Sequence, residues 1–381
     1  MTPTGGSPNV CCLPVDCRHA AGAISSPVAT HRPQPALEGQ VLRVVGCLAI
    51  LILAVGVAQA QQPAPGRWVL LYACDGRPQW MPYTRAQLLP YVAAIDSAGR
   101  PVRWFSNGAV ILALYARSGR TFAPWTRKEP STGSDWAEYL DCLLGPGGLF
   151  DRLDSALTDA EATLPRPSLY RVGVMIPYPG SSVGMTRFMN SDYDLATAQG
   201  RISAIDAYTR EVVQRFAARR GTQLTLDGMY WLHEDAYPTD SGLVHAAANV
   251  VHRHGLRFLW VPYYGELAGG WASWRTLGFD EAWLQPNYFF NRNVPSTRLD
   301  SAVARVRSAG MGLEIEFDGR LLHDPAYGDR LLPYLSAITA DSALQKGSIA
   351  LYDGGGALGQ LASSRNPLYH ALYLLLAQVM Q

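Results

Sequence analysis

The chain has 381 residues, is 48% apolar and 17% charged, and balances 32 Lys and Arg against 31 Asp and Glu. It is too hydrophobic to stay disordered and long enough to bury a large core. Near-neutrality without a basic run excludes nucleic acid and an anionic membrane surface as main partners, because both require a positive field.

Residues 1–40 lack periodicity, are rich in Pro, Gly, Ala and Ser, and carry Cys11, Cys12 and Cys17. They read as an unstructured or mis-assigned N-terminal extension, with translation starting near Val41. Residues 41–60 follow as VLRVVGCLAILILAVGVAQA. The apolar run is shorter than the roughly 20 residues of a spanning helix, and Ala58-Gln59-Ala60 is a small-x-small cleavage site. This pattern predicts a secretory signal peptide removed near Ala60, an extracellular or periplasmic protein, and no membrane association after cleavage. Cleavage removes Arg18, Arg32 and Arg43 but also Asp16 and Glu38, leaving 29 basic and 29 acidic residues, a balance that suits an uncharged ligand. Of the cysteines only Cys74 and Cys142 remain. A disulfide between them is possible, but a strand-end and a helical cysteine usually stand at different depths, so the reading favours leaving them unbridged.

After a linker at 61–67, short apolar runs alternate with longer segments of helical spacing. The runs are 68–74, 109–116, 170–178, 226–234, 257–264, 281–288, 312–319 and 347–354. Helical periodicity marks 135–163 (Trp136, Tyr139, Leu140, Leu143, Leu144), 199–220 (Ile202, Ile205, Val212, Phe216) and 366–380, which starts behind Asn366-Pro367. Eight strand–helix units predict an α/β protein, a single (β/α)8 TIM barrel over 68–381, with extra residues in the loops after the second and third strands. The competing doubly wound sheet requires a Gly-rich turn after its first strand, and Cys74-Asp75-Gly76-Arg77-Pro78 is not one. The glycines of Tyr352-Asp353-Gly354-Gly355-Gly356 read as a loop before the last helix or, less favoured, as a phosphate cradle.

In such barrels chemistry sits at the C-terminal ends of the strands. Those ends carry Tyr72 and Asp75, Tyr115, Tyr178, Trp231 with His233-Glu234-Asp235, Tyr263 and Tyr264 with Glu266, Asn287 and Tyr288, Glu316 with Asp318, and Tyr352 with Asp353. Aromatic faces beside carboxylates and amides match a pyranose, which has apolar C–H faces and a rim of hydroxyls. Period-two alternation puts Glu314, Glu316 and Asp318 on one face of the seventh strand. Glu314 lies deeper, as a structural carboxylate or a partner orienting Glu316. Asp235 and Asp318 are reserves for the acid roles. In the loops, Trp125, Phe188, Asp192, Tyr193 and Asp194 are further candidates for contact.

The fourth strand, Asp227-Gly228-Met229-Tyr230-Trp231-Leu232-His233-Glu234, resembles the DGxDxDxE strand of the chitinase-like glycosidases, in which the final glutamate is the general acid. Tyr230 and Leu232 replace its middle aspartates, so that family's substrate-assisted route is not implied. The seventh strand, Leu313 to Gly319, resembles the nucleophile strand of the large clan of retaining glycosidases, whose acid/base ends the fourth strand. The resemblance implies Glu316 as nucleophile and Glu234 as acid/base, with His233 where the clan usually has asparagine. Over 68–378 the chain also resembles an uncharacterised family of bacterial secreted glycosidase-like barrels sharing LDG-x-YWLHED, here Leu226 to Asp235.

The expected function is therefore a secreted retaining glycoside hydrolase acting on an extracellular or cell-wall polysaccharide. Glu234 and Glu316 perform the catalysis, and the tyrosines, Trp231, His233, Asp235, Asn287, Asp75, Asp318 and Asp353 line the substrate. No cofactor is expected, and no metal, since there is no HExxH or paired-histidine spacing. The alternatives are a barrel that binds a glycan without cleaving it, a metal-dependent hydrolase or isomerase, and, for Glu234 alone, a salt bridge to Arg257 or Arg275.

Overall fold

A computed structural model describes residues 66–77, 83–165, 169–236, 240–265 and 270–381. The signal-peptide and start-site expectations, Pro78 and Glu266 lie outside these residues.

Eight parallel strands close on themselves. They are β1 (Arg67–Tyr72), β2 (Gly108–Leu112), β3 (Tyr170–Ile176), β4 (Leu224–Trp231), β5 (Arg257–Trp260), β6 (Glu281–Leu284), β7 (Gly312–Asp318) and β8 (Ile349–Gly354). Each pairs with its sequence neighbours, and β1 closes the ring by pairing with both β2 and β8. The (β/α)8 barrel is thus the observed fold. Its strands coincide with the eight apolar runs but leave the ladder up to four residues early, so that Tyr178, Glu234, Tyr264 and Tyr288 stand on loops above the rim.

The barrel interior is filled by side chains for which glycines make room. A Cβ on Gly173 would stand 2.7 Å from Leu259 Cδ1, and one on Gly228 would stand 2.5 Å from the Arg257 carbonyl oxygen, so both strands need glycine for Leu259 to reach the axis. At the N-terminal end, Trp68 and Trp283 meet edge to face at 5.6 Å and Trp68 Nε1 donates to Glu281. Arg257, at the start of β5, bonds Asp227 at 3.1 Å and Glu281 at 2.8 Å. Arg257 is therefore committed to the end of the barrel remote from Glu234. Arg275 lies over Trp274 and donates to the Ala309 and Gly310 carbonyls. Neither arginine is the partner that the alternative for Glu234 requires.

Outside the ring, the expected helix over 135–163 is two helices, Gly133–Leu144 and Leu149–Glu161. The break falls at Gly145-Pro146-Gly147-Gly148, where Gly147 has a φ of 66°. Helices Ala198–Ala217 and Pro367–Val379 lie where periodicity placed them. Two antiparallel hairpins were not expected, Ala93–Ile95 with Pro101–Trp104 and Met185–Phe188 with Ser191–Asp194. The first is locked to the final helix by Tyr373, whose hydroxyl donates to the Pro90 and Ala93 carbonyls. Among the described residues no helix is long and apolar enough to cross a membrane.

Cys74 and Cys142 form a disulfide, correcting the expectation that they stay apart. Cys74 lies just past β1 in a left-handed conformation, φ 60°, which turns the chain out of the strand toward helix Gly133–Leu144 and brings the two Cα atoms within 6.0 Å.

Candidate functional site

The C-terminal mouth gathers three glutamates. Glu314 and Glu316 share the inward face of β7, while the alternate residues Leu313, Ile315 and Phe317 are fully buried beneath the helices. Glu234 enters three residues beyond β4. Two bonds fix its loop: Tyr263 N donates to the Glu234 carbonyl at 3.0 Å, and Trp260 Nε1 donates to the His233 carbonyl at 2.8 Å.

Aromatic hydroxyls surround the carboxyls. Tyr72 and Tyr352 meet edge to face at 5.3 Å, and Tyr352 is the register partner of Glu316 on β8. Burial raises the Tyr72 and Tyr230 hydroxyls well above the ordinary tyrosine range, and the negative charges of Glu234 and Glu314 raise them further. Both phenols stay neutral and can donate hydrogen bonds.

The three carboxyls differ in what holds them. Burial, then the charges of Glu316 and Asp235, pushes Glu234 up to about 8. Glu314, only 1% exposed, is raised well above the carboxylate range by burial and by the charges of Glu316 and Glu234, against a weaker opposing pull from the Gln285 amide. Glu316 is fully buried, and burial raises it too, to about 7, against the pull of several donors. Asn287 N and the Tyr334 hydroxyl each donate to Oε2 at 2.7 Å, and the Tyr288 amide and Arg298 guanidinium also favour the charged form. Glu316 is thus the carboxyl best equipped to carry charge, and Glu234 the one that keeps a proton at neutral pH while standing nearest the rim.

Other expected site residues divide into two groups. Tyr178, His233 and Trp231 form a cluster on the outward side of β4: Tyr178 packs at 5.4 Å on His233 and 6.0 Å on Trp231, and its hydroxyl donates to Asp240 at 2.5 Å. His233 Nδ1 lies 3.5 Å from Asp240, and Trp125, from the loop after β2, stacks on the imidazole at 6.0 Å. His233 stands two residues beyond β4, and its imidazole is engaged with Asp240, Tyr178 and Trp125.

The remaining carboxylates at strand ends are engaged in holding loops. Asp75 accepts from the Leu114 and Tyr115 amides and pairs with Arg77, which lies 4.8 Å over the Tyr115 ring. Asp318 caps the turn at Gly319–Leu322 and pairs with Arg320. Asp353 accepts from Tyr91 at 2.6 Å and from the Leu358 amide beyond the glycine loop. Tyr264 lies between Arg298 and Arg305, at 4.2 and 3.9 Å from the ring centroid. Tyr288 is buried under Arg330, and Phe188 belongs to the core against Trp136 and Tyr208. Asp235, beside Glu234, keeps one buried oxygen without a hydrogen-bond partner among the described residues.

Tyr334, Gln285, Arg298 and Asp240 escaped sequence reasoning. Tyr334 lies mid-helix in Pro325–Ala340, where nothing distinguishes it from any other core tyrosine. Gln285 follows the last residue of β6, and the pairing of Leu284 with Leu313 sets it beside Glu314. Among the described residues no three His, Cys, Asp or Glu side chains form a group fit to hold a metal ion.

A closed parallel barrel with its carboxyl cluster at the C-terminal mouth defines the molecule as a (β/α)8-barrel protein. Over residues 68–378 the chain matches the model of DUF4855, a domain of unknown function, and it belongs to that family. No curated protein matches it. Among solved structures it is similar to a mutant tryptophan synthase alpha-subunit from the hyperthermophile Pyrococcus furiosus, at 11% identity over 84% of this chain and 98% of that one, TM-score 0.38. It is also similar to tryptophan synthase from M. tuberculosis, at 13% identity over 91% and 99%, TM-score 0.38.

Proposed function

We propose that this protein is a secreted retaining glycoside hydrolase acting on a neutral extracellular or cell-wall polysaccharide, with Glu234 as acid/base and Glu316 as nucleophile. The observation that carries the reading is the unequal treatment of two carboxyls at one mouth, near enough for the charge of Glu316 to raise Glu234. Glu234 is pushed up to about 8, so it holds a proton at neutral pH. Glu316 has amide, hydroxyl and guanidinium groups favouring its charged form, all absent from Glu234 among the described residues. Retaining hydrolysis needs one protonated and one ionised carboxyl.

In the first step Glu316 attacks the anomeric carbon while Glu234 gives its proton to the glycosidic oxygen, breaking the C–O bond and leaving a glycosyl ester on Glu316. In the second, Glu234 takes a proton from water, whose oxygen attacks the anomeric carbon and frees Glu316. Tyr72, Tyr230 and Tyr352 supply neutral hydroxyls and ring edges for the sugar. The disulfide between Cys74 and Cys142 suits the oxidising compartment to which a signal peptide would deliver the chain.

The test is release of reducing ends from a panel of neutral polysaccharides, with the anomeric form of the first product followed by NMR. Retention of configuration, and at least a ~10³-fold loss in Glu234→Gln and Glu316→Gln, is expected. Binding without cleavage by the unaltered protein would replace the hydrolase with a glycan-binding barrel.

A further inference from the structure

Glu314 and Glu316 stand two residues apart on one face of β7, at 1% and 0% exposure. Among the described residues three buried acceptors here have no hydrogen-bond partner: Glu314 Oε2, Glu316 Oε1 and Gln285 Oε1. The groups facing Glu314 are Glu316 on its own strand, Glu234 and Tyr230 from the β4 side, Tyr72 from β1, Tyr352 from β8 and Gln285 from the end of β6. No lysine or arginine is among them, and the nearby Arg298 acts on Glu316. With both carboxyls ionised, Glu314 would carry a charge with no cation facing it, directly beside that of Glu316, and the three acceptors would stay without a hydrogen bond among the described residues, an arrangement that protein interiors avoid.

One proton removes the unpaired charge and can satisfy two of the three acceptors, Glu314 Oε2 and Glu316 Oε1. Placed on Glu314, it removes that charge and turns one acceptor into a donor on the same face of β7 as Glu316. We propose that Glu314 is protonated in the resting protein and donates a hydrogen bond to Glu316, making it the positioning residue that holds that carboxylate oriented and charged. The inference rests on the glycosidase reading only for what Glu316 then does. The protonation itself stands on the geometry of β7. Glu314 touches no reacting atom; it acts through Glu316.

The experiment is a pH titration of the full chain with ¹³C-labelled glutamate carboxyls, followed by NMR without substrate and assigned with Glu314→Gln and Glu316→Gln. A carboxyl resonance that remains protonated through pH 7 and disappears in Glu314→Gln is expected. Because glutamine is neutral and keeps a donor, the Glu316 midpoint in Glu314→Gln should stay within about 0.5 pH unit of its original value. Glu314→Leu, which deletes the donor, should raise it by about one unit.

A midpoint falling by about one unit or more in Glu314→Gln would overturn the proposal, since it would mean that a like charge had been removed. A midpoint equal in the leucine and glutamine variants would equally overturn the donor role. Should the leucine variant fail to fold, the glutamine variant decides alone. Because no turnover is measured, a barrel that cleaves nothing can still pass, and an active glycosidase can fail.

Discussion

The backbone N–H of Asn287 donates to Glu316 Oε2 at 2.7 Å from a residue in the left-handed region, φ 50°. The two facts are linked: the inverted backbone after β6 aims the amide across to β7, and asparagine is among the few non-glycine residues that adopt this conformation readily. Asn287→Gly should therefore retain stability and activity. Asn287→Val should cost roughly 1–2 kcal/mol and misplace the amide. Thermal unfolding of the pair checks this, and equal melting temperatures would show that the inversion demands nothing of the side chain.

The second donor to that oxygen is the buried Tyr334 hydroxyl, at 2.7 Å. Tyr334→Phe keeps the ring and removes only the bond, so Glu316 loses a group that favours its charged form and its pKa must rise. The acid limb of the activity profile should move to higher pH, and stability should fall by about 1–3 kcal/mol. A limb that stays in place would show that the ionisation of Glu316 does not govern it.

Much of the barrel was legible because most of its strands are short, largely apolar and buried runs with turn residues between them, while β7, Gly-Leu-Glu-Ile-Glu-Phe-Asp, shows itself by alternation. The hairpin of Met185–Phe188 and Ser191–Asp194 was not: its second strand reads Ser-Asp-Tyr-Asp, and nothing apolar alternates there to mark it. At the site, Glu234 and Glu316 could be found because strand position and residue type coincide. Asp75, Asp318 and Asp353 satisfy the same criteria yet serve loop amides and arginines, since a carboxylate beside free backbone N–H groups is as useful to a turn as to a substrate. Tyr334 is the converse case. Its role depends on where a helix, remote in sequence from β6 and adjacent to β7 only in space, lies against the barrel.

Stability should fall as pH rises from mildly acidic to alkaline. Glu234, at about 8, and Asp353, at about 7, are both raised by burial above their unfolded values near 4. Between the unfolded and folded values the native state binds more protons than the unfolded chain, so each group weakens the fold as pH climbs, by at most about 1.4 kcal/mol per unit while it titrates. The melting temperature should be higher at pH 5 than at pH 8, and Glu234→Gln should flatten the decline. If the glycosidase reading holds, activity should also fall above about pH 8 as Glu234 loses its proton. Activity that already falls between about pH 4 and 6, as an acid with an ordinary carboxyl pKa would require, would remove the case for a raised acid.

The disulfide closes a loop over a sequence separation of 68, from the end of β1 to the helix after β2. For a loop of that length the chain-entropy model assigns about 4 kcal/mol, by restricting the unfolded chain. It also anchors the segment in which Asp75 bonds the Leu114 and Tyr115 amides, so the rim between β1 and β2 should loosen when it opens. Cys142→Ser should lower the melting temperature substantially, and reductant should bring the unaltered protein to the same value while leaving the variant unaffected. Amide exchange should quicken first at Leu114 and Tyr115. Uniform quickening across all eight strands would mean instead that the bridge stabilises the barrel globally and has no particular hold on this rim.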